Sequence, residues 1–222
     1  MHSAVSQFSP WQDVELWPAL WQEDRQLGYS SPMRTSEIDM LIVPGWTNSG
    51  PDHWQSRWER HFKTARRIKQ ADWDTPRLAD WVERIVEEVT KATRPVVLVA
   101  HSCGVSAVVH AAPRLVPSRL MGAFLVAPAD LEGTDTWPAR EGGFTPLPMV
   151  PLPFPARLIG SSTDPHCSIE RAQEFGAAWG ADVSIIANAG HLNTASGHGP
   201  WPEGLLTFGL FLRSLGNVPG RA

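Results

Sequence analysis

A serine stands where a strand pattern changes abruptly into a helix pattern. Residues 96–100 are apolar and rich in valine, and small apolar side chains dominate residues 105–112. This order predicts a buried strand, a sharp turn and a buried helix, with Ser102 at the turn. Residues two before and two after such a serine must be small, and here they are Ala100 and Gly104, with alanine in place of the more usual glycine. The alternative is an ordinary turn in which Ser102 only caps the helix.

A serine hydroxyl is a poor nucleophile and needs a base to accept its proton. Among the eight histidines, His191 alone follows a predicted strand by a short loop that contains glycine, which makes it the candidate base. His166 and His198 lie in loops and are secondary candidates. His101 is adjacent to the serine, so its side chain is expected to point elsewhere.

The base in turn needs a carboxylate that orients it. Asp164 follows the strand before the one that precedes His191, and it is the candidate acid; Asp130, after an earlier strand, is the second choice. An aspartate before proline also has a common structural role in turns, which is the alternative for Asp164. The order Ser102, Asp164, His191, each in a loop after a strand, is characteristic of α/β-hydrolases.

Backbone N–H groups near the serine would stabilise a developing oxyanion. We expect one from Cys103, at the start of the helix, and a second from Trp46, in the loop after the first strand. Gly45 would let this loop approach the substrate. Cys103 is itself an alternative nucleophile, but the spacing places Ser102 at the apex of the turn.

The substrate pocket is predicted from aromatic side chains in neighbouring loops. Trp46, Trp137 and Phe144 indicate a partly apolar pocket for an aliphatic or aromatic acyl group. The candidate pocket residues are Gly45, His101, Trp137 and Phe144.

Strand and helix patterns alternate along the chain. Predicted strands cover 38–43, 65–69, 95–100, 122–127, 156–160 and 183–187, and helices begin near residues 52, 76, 103, 168 and 201. This alternation predicts a three-layer α/β sandwich of the α/β-hydrolase type, with a parallel sheet of about six strands and helices on both faces. Asp52 is expected to cap the first helix, with Gln55 three residues later. The proline-rich segment 128–155 is a functional loop, too short for a lid domain.

The domain is expected to span 37–216, with an N-terminal arm over 1–36 and a tail over 217–222. The arm contains several tryptophans but is interrupted by Pro18, so we expect it to dock on the domain. A protein partner that binds through this tryptophan-rich arm, or a membrane contact, is the alternative.

Composition limits the classes of partner. The 222 residues are 42% hydrophobic and 19% charged, with a formal net charge of −4, which argues against nucleic acid as a partner. No apolar run is long enough for a membrane span. The start of the chain lacks a signal-peptide pattern, so a cytoplasmic location is expected. Cys103 and Cys167 form no metal-binding pattern, and no metal or organic cofactor is expected.

Several motifs together resemble the small serine hydrolases related to retinoblastoma-binding protein 9. The stretches that carry the resemblance are 43–55 (VPGWTNSGPDHWQ), 100–104 (AHSCG), 164–165 (DP), 190–193 (GHLN) and 196–204 (SGHGPWPEG). The resemblance covers about residues 38–215. It implies a single-domain α/β-hydrolase with Ser102, Asp164 and His191 as its triad and with esterase-type activity, but it names no substrate.

The main hypothesis is hydrolysis of a small ester, thioester or amide through an acyl-Ser102 intermediate. An acyltransferase would use the same triad with a different acceptor. A protein-interaction module on a hydrolase scaffold, without catalysis, is the alternative from a different class.

Overall fold

The centre of the fold is a six-stranded parallel sheet. The computed structural model describes residues 34–115, 119–133 and 141–216. Its strands are β1 (Asp39–Val43), β2 (Ala65–Arg67), β3 (Val96–His101), β4 (Leu120–Val126), β5 (Ala156–Ser161) and β6 (Asp182–Ile186). They lie in the order β2-β1-β3-β4-β5-β6, and every neighbouring pair is parallel. The predicted fold class is confirmed, and no separate lid is seen in the described ranges.

In the described ranges, four α-helices lie between strands and a fifth follows the last strand. They are α1 (Trp54–His61), α2 (Leu78–Lys91), α3 (Cys103–Ala111), α4 (Ile169–Trp179) and α5 (Pro202–Gly216). The helix α2 shows best why its sequence is helical, because Trp81, Val82, Ile85 and Val89 recur at helical spacing and all four are buried. Each of the five helices packs apolar side chains against the sheet.

The sheet is covered on both faces by separate apolar clusters. One cluster packs α2, α3 and α4 against side chains such as Leu98 and Leu125. The other packs α1 and α5 against Val97, Val99 and Phe124. Alternate side chains of β3 enter the two clusters, so residues 96–100 of this strand are all apolar, and all six residues up to His101 are buried.

The central position of β3 decides where chemistry can occur. β1 lies on one side of β3, while β4, β5 and β6 lie on the other. Because all six strands run the same way, the loops that follow them meet at one edge of the sheet. Ser102, Asp164 and His191 follow β3, β5 and β6, so the topology brings their loops to this edge.

The start of α1 differs from the prediction. His53 caps this helix, with extended backbone and a ring Nδ1 that accepts from the Gln55 N–H at 3.2 Å. Asp52, the predicted cap, instead forms an exposed ion pair with Arg57 at 3.1 Å. The prediction followed the general preference for aspartate at this position, and the local backbone placed the cap one residue later.

Three predictions fall largely or wholly outside the described residues. The N-terminal arm has only 34–36 within them, and there Thr35–Glu37 forms a single turn of 3₁₀ helix. The tail 217–222 and Trp137 lie outside them. The described parts of the proline-rich segment, 128–133 and 141–155, contain no strand.

Candidate active site

Ser102 occupies a strained turn between β3 and α3. Its backbone has φ 54° and ψ −128°, a conformation that residues other than glycine rarely adopt. The turn also brings residue 104 against the first strand, where a Cβ would lie 2.4 Å from the carbonyl oxygen of Val43. Only glycine fits there, whereas Ala100 is accommodated, fully buried in the core. The predicted strand, turn and helix are present.

His191 joins Ser102 to Asp164 through a continuous hydrogen-bonded chain. Its Nε2 lies 2.9 Å from the Ser102 Oγ, and its Nδ1 lies 2.9 Å from both carboxylate oxygens of Asp164. The Asp164 side chain is 1% exposed and that of His191 is 8% exposed. This arrangement lets Nε2 accept the serine proton while Nδ1–H donates to the carboxylate. The structure thus brings together the three residues that the sequence singled out.

Three consecutive hydroxyl groups hold the Asp164 loop against the His191 loop. The Ser161 Oγ accepts from the N–H of residue 189 at 3.1 Å, the Ser162 Oγ from residue 188 at 2.9 Å, and the Thr163 Oγ1 from residue 190 at 3.0 Å. These bonds fix the two loops in register. A run of hydroxyl residues directly before the candidate acid is visible in the sequence, but its partners across the loop are not.

His101 holds the His191 backbone in place through a hydrogen bond. Its Nε2–H donates to the carbonyl oxygen of His191 at 2.9 Å. Burial drives the pKa of His101 well below its ordinary value, so the ring is neutral and keeps the proton on Nε2 for this bond. The His101 side chain also lines the site cavity.

A second histidine, His166, also packs against His191. The backbone N–H of His166 donates to the Asp164 Oδ1 at 2.9 Å. Its ring meets the ring of His191 edge-on, with centroids 4.6 Å apart. Burial lowers the pKa of His166, and His191 lowers it further, while Asp164 raises it. His166 was a secondary candidate base, and it instead borders the base that bonds to the serine.

The loop after β1 passes directly beside the serine. A Cβ on Gly45 would lie 2.7 Å from the Ser102 Cβ and 3.2 Å from its Oγ. The Trp46 indole is anchored by a bond from its Nε1 to the Asp74 carbonyl at 2.9 Å. Across the serine, Cys103 is the first residue of α3, where backbone N–H groups have no partner within the helix. Backbone from both segments thus borders the Ser102 side chain.

A buried amide ties this loop to the strand that presents Ser102. Gln55 is fully buried, and its Nε2 donates to the carbonyl oxygens of Val99 at 3.0 Å and Val43 at 3.3 Å. Its Oε1 accepts from the Ser49 hydroxyl at 2.7 Å. Arg67 holds the same loop through the Ser49 carbonyl at 2.8 Å. From the sequence, Gln55 is recognisable only as part of a capping pattern, because its contacts join strands that are distant in sequence.

These residues border a cavity of about 500 Å³. Four histidines line it, namely His53, His101, His166 and His191, together with Ser102, Gly45, Thr47, Asn48 and Asn193 among others. Of the lining side chains in the described ranges, only Trp46 and Ala195 are apolar, and none is a carboxylate or a lysine or arginine. Polar and apolar atoms contribute comparably to the lining surface, so the cavity is partly apolar although most of its side chains are polar by type; the predicted apolar residues are Trp46, Trp137 and Phe144.

Phe144 corrects part of that prediction. Its ring is fully buried and meets Trp81 edge-on, with centroids 5.6 Å apart. The loop around it folds back onto the helices, where the Leu78 N–H donates to the Gly142 carbonyl and His110 Nε2–H donates to the Phe144 carbonyl. Phe144 is thus a core residue and lines no part of the cavity. The sequence identified an aromatic residue in a loop but could not show where that loop packs.

The alternative acid and nucleophile occupy other surroundings. Asp130 faces Arg171, with 3.4 Å between its Oδ1 and the guanidinium Nε, and not His191. The Cys103 thiol is fully buried, and burial raises its pKa well above the ordinary range. A thiol in that state is a poor nucleophile.

The described residues contain no cluster of three or more metal-ligating His, Cys, Asp or Glu side chains. In the same ranges, no helix combines the length and apolarity that crossing a bilayer requires.

The family model described as "Serine hydrolase" matches residues 40–209. The chain belongs to this serine hydrolase family. The match covers the sheet, the Ser102 turn and the loops that carry Asp164 and His191. No functionally curated protein matches the chain.

Solved structures agree with this assignment. A protein from Pectobacterium atrosepticum, described as a YdeN-like hydrolase, shares 34% identity over 82% of this chain and 94% of its own, with a TM-score of 0.73. The ydeN gene product of Bacillus subtilis (18% identity, TM-score 0.60, 79% and 99% covered) and an esterase domain from Rhodothermus marinus (15%, 0.59, 80% and 87%) share the fold. This chain is therefore a hydrolase; the narrower resemblance to retinoblastoma-binding protein 9 stays a prediction.

Proposed function

We propose that this serine hydrolase is a carboxylesterase-type enzyme that cleaves small esters through an acyl-Ser102 intermediate. The observation that carries the proposal is the hydrogen-bonded chain from the Ser102 Oγ through His191 to Asp164, with all three side chains buried at the end of the sheet. Thioesters and amides share the same acyl chemistry and are further candidate substrates.

Acylation begins with the serine proton. As the Ser102 Oγ forms a bond to the carbonyl carbon, its proton moves to the His191 Nε2 and the carbonyl π electrons move onto oxygen. Asp164 stabilises the imidazolium through the Nδ1–H bond. Collapse of the tetrahedral intermediate breaks the bond to the leaving group, which takes the proton from Nε2. Water then attacks the acyl-serine, and His191 accepts its proton; the second tetrahedral intermediate breaks the bond between the carbonyl carbon and the Ser102 Oγ, which takes the proton back from Nε2 as the acid leaves.

The negative oxygen needs donors that are already in place. The N–H of Cys103, at the positive end of α3, and that of Trp46, beside Gly45, are the proposed donors. Each donor of this kind contributes roughly 3–4 kcal/mol in acyl-transfer enzymes. Gly45 lies directly beside the Ser102 side chain and Cys103 is the next residue after Ser102, so both N–H groups belong to backbone that adjoins the nucleophile, which supports this assignment.

Small chromogenic esters test the proposal. With p-nitrophenyl acetate in excess, the wild-type protein should release a burst of p-nitrophenol equal to the enzyme concentration if deacylation is slow, followed by steady turnover. Ser102→Ala should lower steady-state turnover by at least about a thousandfold. Similar turnover in the wild type and in folded Ser102→Ala would contradict the acyl-serine mechanism.

A further inference from the structure

His53 is a buried histidine that lines the cavity, and the proposed mechanism assigns it no step. It lines the cavity beside His101, with the two ring centroids 4.9 Å apart and edge-on. Its side chain is also held by Trp54, at 5.5 Å between centroids, and only 6% of the residue is exposed. The ring therefore has a fixed orientation at the cavity wall.

The helix cap determines which nitrogen of His53 carries the proton. The Nδ1 accepts from the Gln55 backbone N–H at 3.2 Å, so this nitrogen has no proton. Burial, together with the nearby Arg67, lowers the pKa of His53 to about 4. The ring is thus neutral at physiological pH, and its single proton lies on Nε2.

The Nε2–H has no hydrogen-bond acceptor in the described part of the chain. It is also absent from the fully buried atoms without a partner in those ranges, so it keeps access to the cavity. A bound acyl group would displace water from this donor, and an N–H that loses its water without gaining a partner is costly, so the site favours a ligand atom that accepts.

The sheet order assigns His53 to one side of the serine. His53 follows β1, on one side of β3, whereas His166 and His191 follow β5 and β6, on the other. The leaving group must lie near His191, since it takes its proton from that ring. The acyl group then extends towards the β1 side, where His53, Thr47 and Asn48 line the cavity.

We propose that the His53 Nε2–H binds an acceptor oxygen on the acyl group, which makes His53 a specificity residue for small esters whose acyl part carries an ether, hydroxyl or carbonyl oxygen. This inference rests on the proposed esterase function. The polar lining of the cavity and its volume of about 500 Å³ agree with a compact, uncharged, oxygen-bearing acyl group.

Two substitutions separate the cap from the donor. In His53→Asn, the amide occupies the position of Nδ1, so its oxygen can still cap α1 but no donor reaches the cavity. In His53→Gln, the amide reaches the position of Nε2 and retains a donor, while the cap is lost. Urea unfolding of each variant establishes that the protein compared is folded.

The matched substrates are p-nitrophenyl methoxyacetate and p-nitrophenyl butyrate, whose acyl chains have the same length and differ by an oxygen in place of a methylene. The readout is the ratio of their kcat/KM values in each protein. Because the ether oxygen activates the ester equally in every variant, only a change in this ratio reports recognition.

The ratio of methoxyacetate to butyrate should fall about three- to tenfold in His53→Asn, the worth of one neutral hydrogen bond, and should stay near the wild-type ratio in His53→Gln. An unchanged ratio in His53→Asn, or an equal fall in both variants, would overturn the proposal. If His53→Asn does not fold, His53→Ser takes its place, because serine also caps helices but carries no donor that reaches the position of Nε2. A wild-type protein that hydrolyses neither ester would instead refute the proposed function.

Discussion

Replacing Gly45 by alanine tests whether the loop after β1 is part of the catalytic site. The new methyl carbon would lie 2.7 Å from the Ser102 Cβ and 3.1 Å from the His101 carbonyl oxygen. Ordinary van der Waals contact begins at 3.4 Å, so the loop and the serine must separate by about 0.7 Å. Gly45 is not among the glycines with positive φ, so the backbone itself tolerates alanine and the effect comes from this contact.

A displacement of this size acts on the reaction more than on the fold. It moves the Trp46 N–H away from the oxyanion and shifts the serine relative to His191. Misplacement of reacting groups by about 1 Å costs about a hundredfold in rate, and loss of one oxyanion donor costs a similar factor. We therefore expect kcat for p-nitrophenyl acetate to fall about a hundredfold in Gly45→Ala. The free energy of unfolding should fall by only about 1–3 kcal/mol, as for other overpacked sites.

The assay is steady-state hydrolysis, with urea unfolding of the same samples. Gly209→Ala, in α5, is the matched control because a Cβ there meets nothing within 4 Å; its kcat should match the wild type. A Gly45→Ala protein that is folded and retains wild-type kcat would refute the role assigned to this loop.

Three further substitutions or reactions test separate parts of the account. Asp164→Asn should lower kcat about 10⁴-fold because it removes the carboxylate that orients the base. The control, Asp130→Asn, loses its ion pair with Arg171 and should keep a kcat near the wild-type value. The reverse result would show that the acid is misassigned. Gln55→Leu should lower the free energy of unfolding, measured in urea, by about 2–4 kcal/mol. The substitution removes the amide donor from two backbone carbonyl groups, one in β1 and one in β3. An unchanged urea midpoint would show that the amide does not bridge β1 and β3. Both cysteines should resist iodoacetamide at pH 8 in the native protein. Burial raises the pKa of Cys103 well above its usual range and that of Cys167 to about 12, so both thiols stay protonated at this pH. Rapid alkylation of native Cys103 would contradict this.

The fold could be predicted because its pattern is local. The valine-rich run of β3 and the spacing of Trp81, Ile85 and Val89 in α2 are each visible within a few residues, and alternation of such segments implies a parallel sheet. The residues of the site could be predicted in the next step, because loops that follow parallel strands converge at one edge of the sheet. Ser102, Asp164 and His191 each follow a recognisable strand.

The contacts that fix the site could not be predicted in this way. The bonds from Ser161, Ser162 and Thr163 to the His191 loop join residues 26 to 28 positions apart, and the bond from Gln55 to Val99 spans 44. Such contacts depend on the packing of whole elements, which no local pattern encodes. The position of Phe144 shows the same limit, because a loop residue can enter the core when its loop folds back.

The polar residues that line the cavity could also be identified only from the tertiary structure. The sequence offered Trp46, Trp137 and Phe144 as its walls, but the loop after β1 and the loops after β5 and β6 contribute histidines, threonines and asparagines. His53 enters this wall because it caps α1, a position that sequence preferences assigned to Asp52. The basis of substrate preference must therefore be tested from the structure, with the His53 variants.

Covalent labelling with a fluorophosphonate probe tests the central claim most directly, because such probes form a stable bond only with an activated serine. Intact-mass measurement and peptide mapping should show one probe per chain, attached to Ser102. Labelling should be absent in Ser102→Ala and strongly slowed in His191→Ala. A folded wild-type protein that remains unlabelled, or one labelled at another residue, would contradict the account.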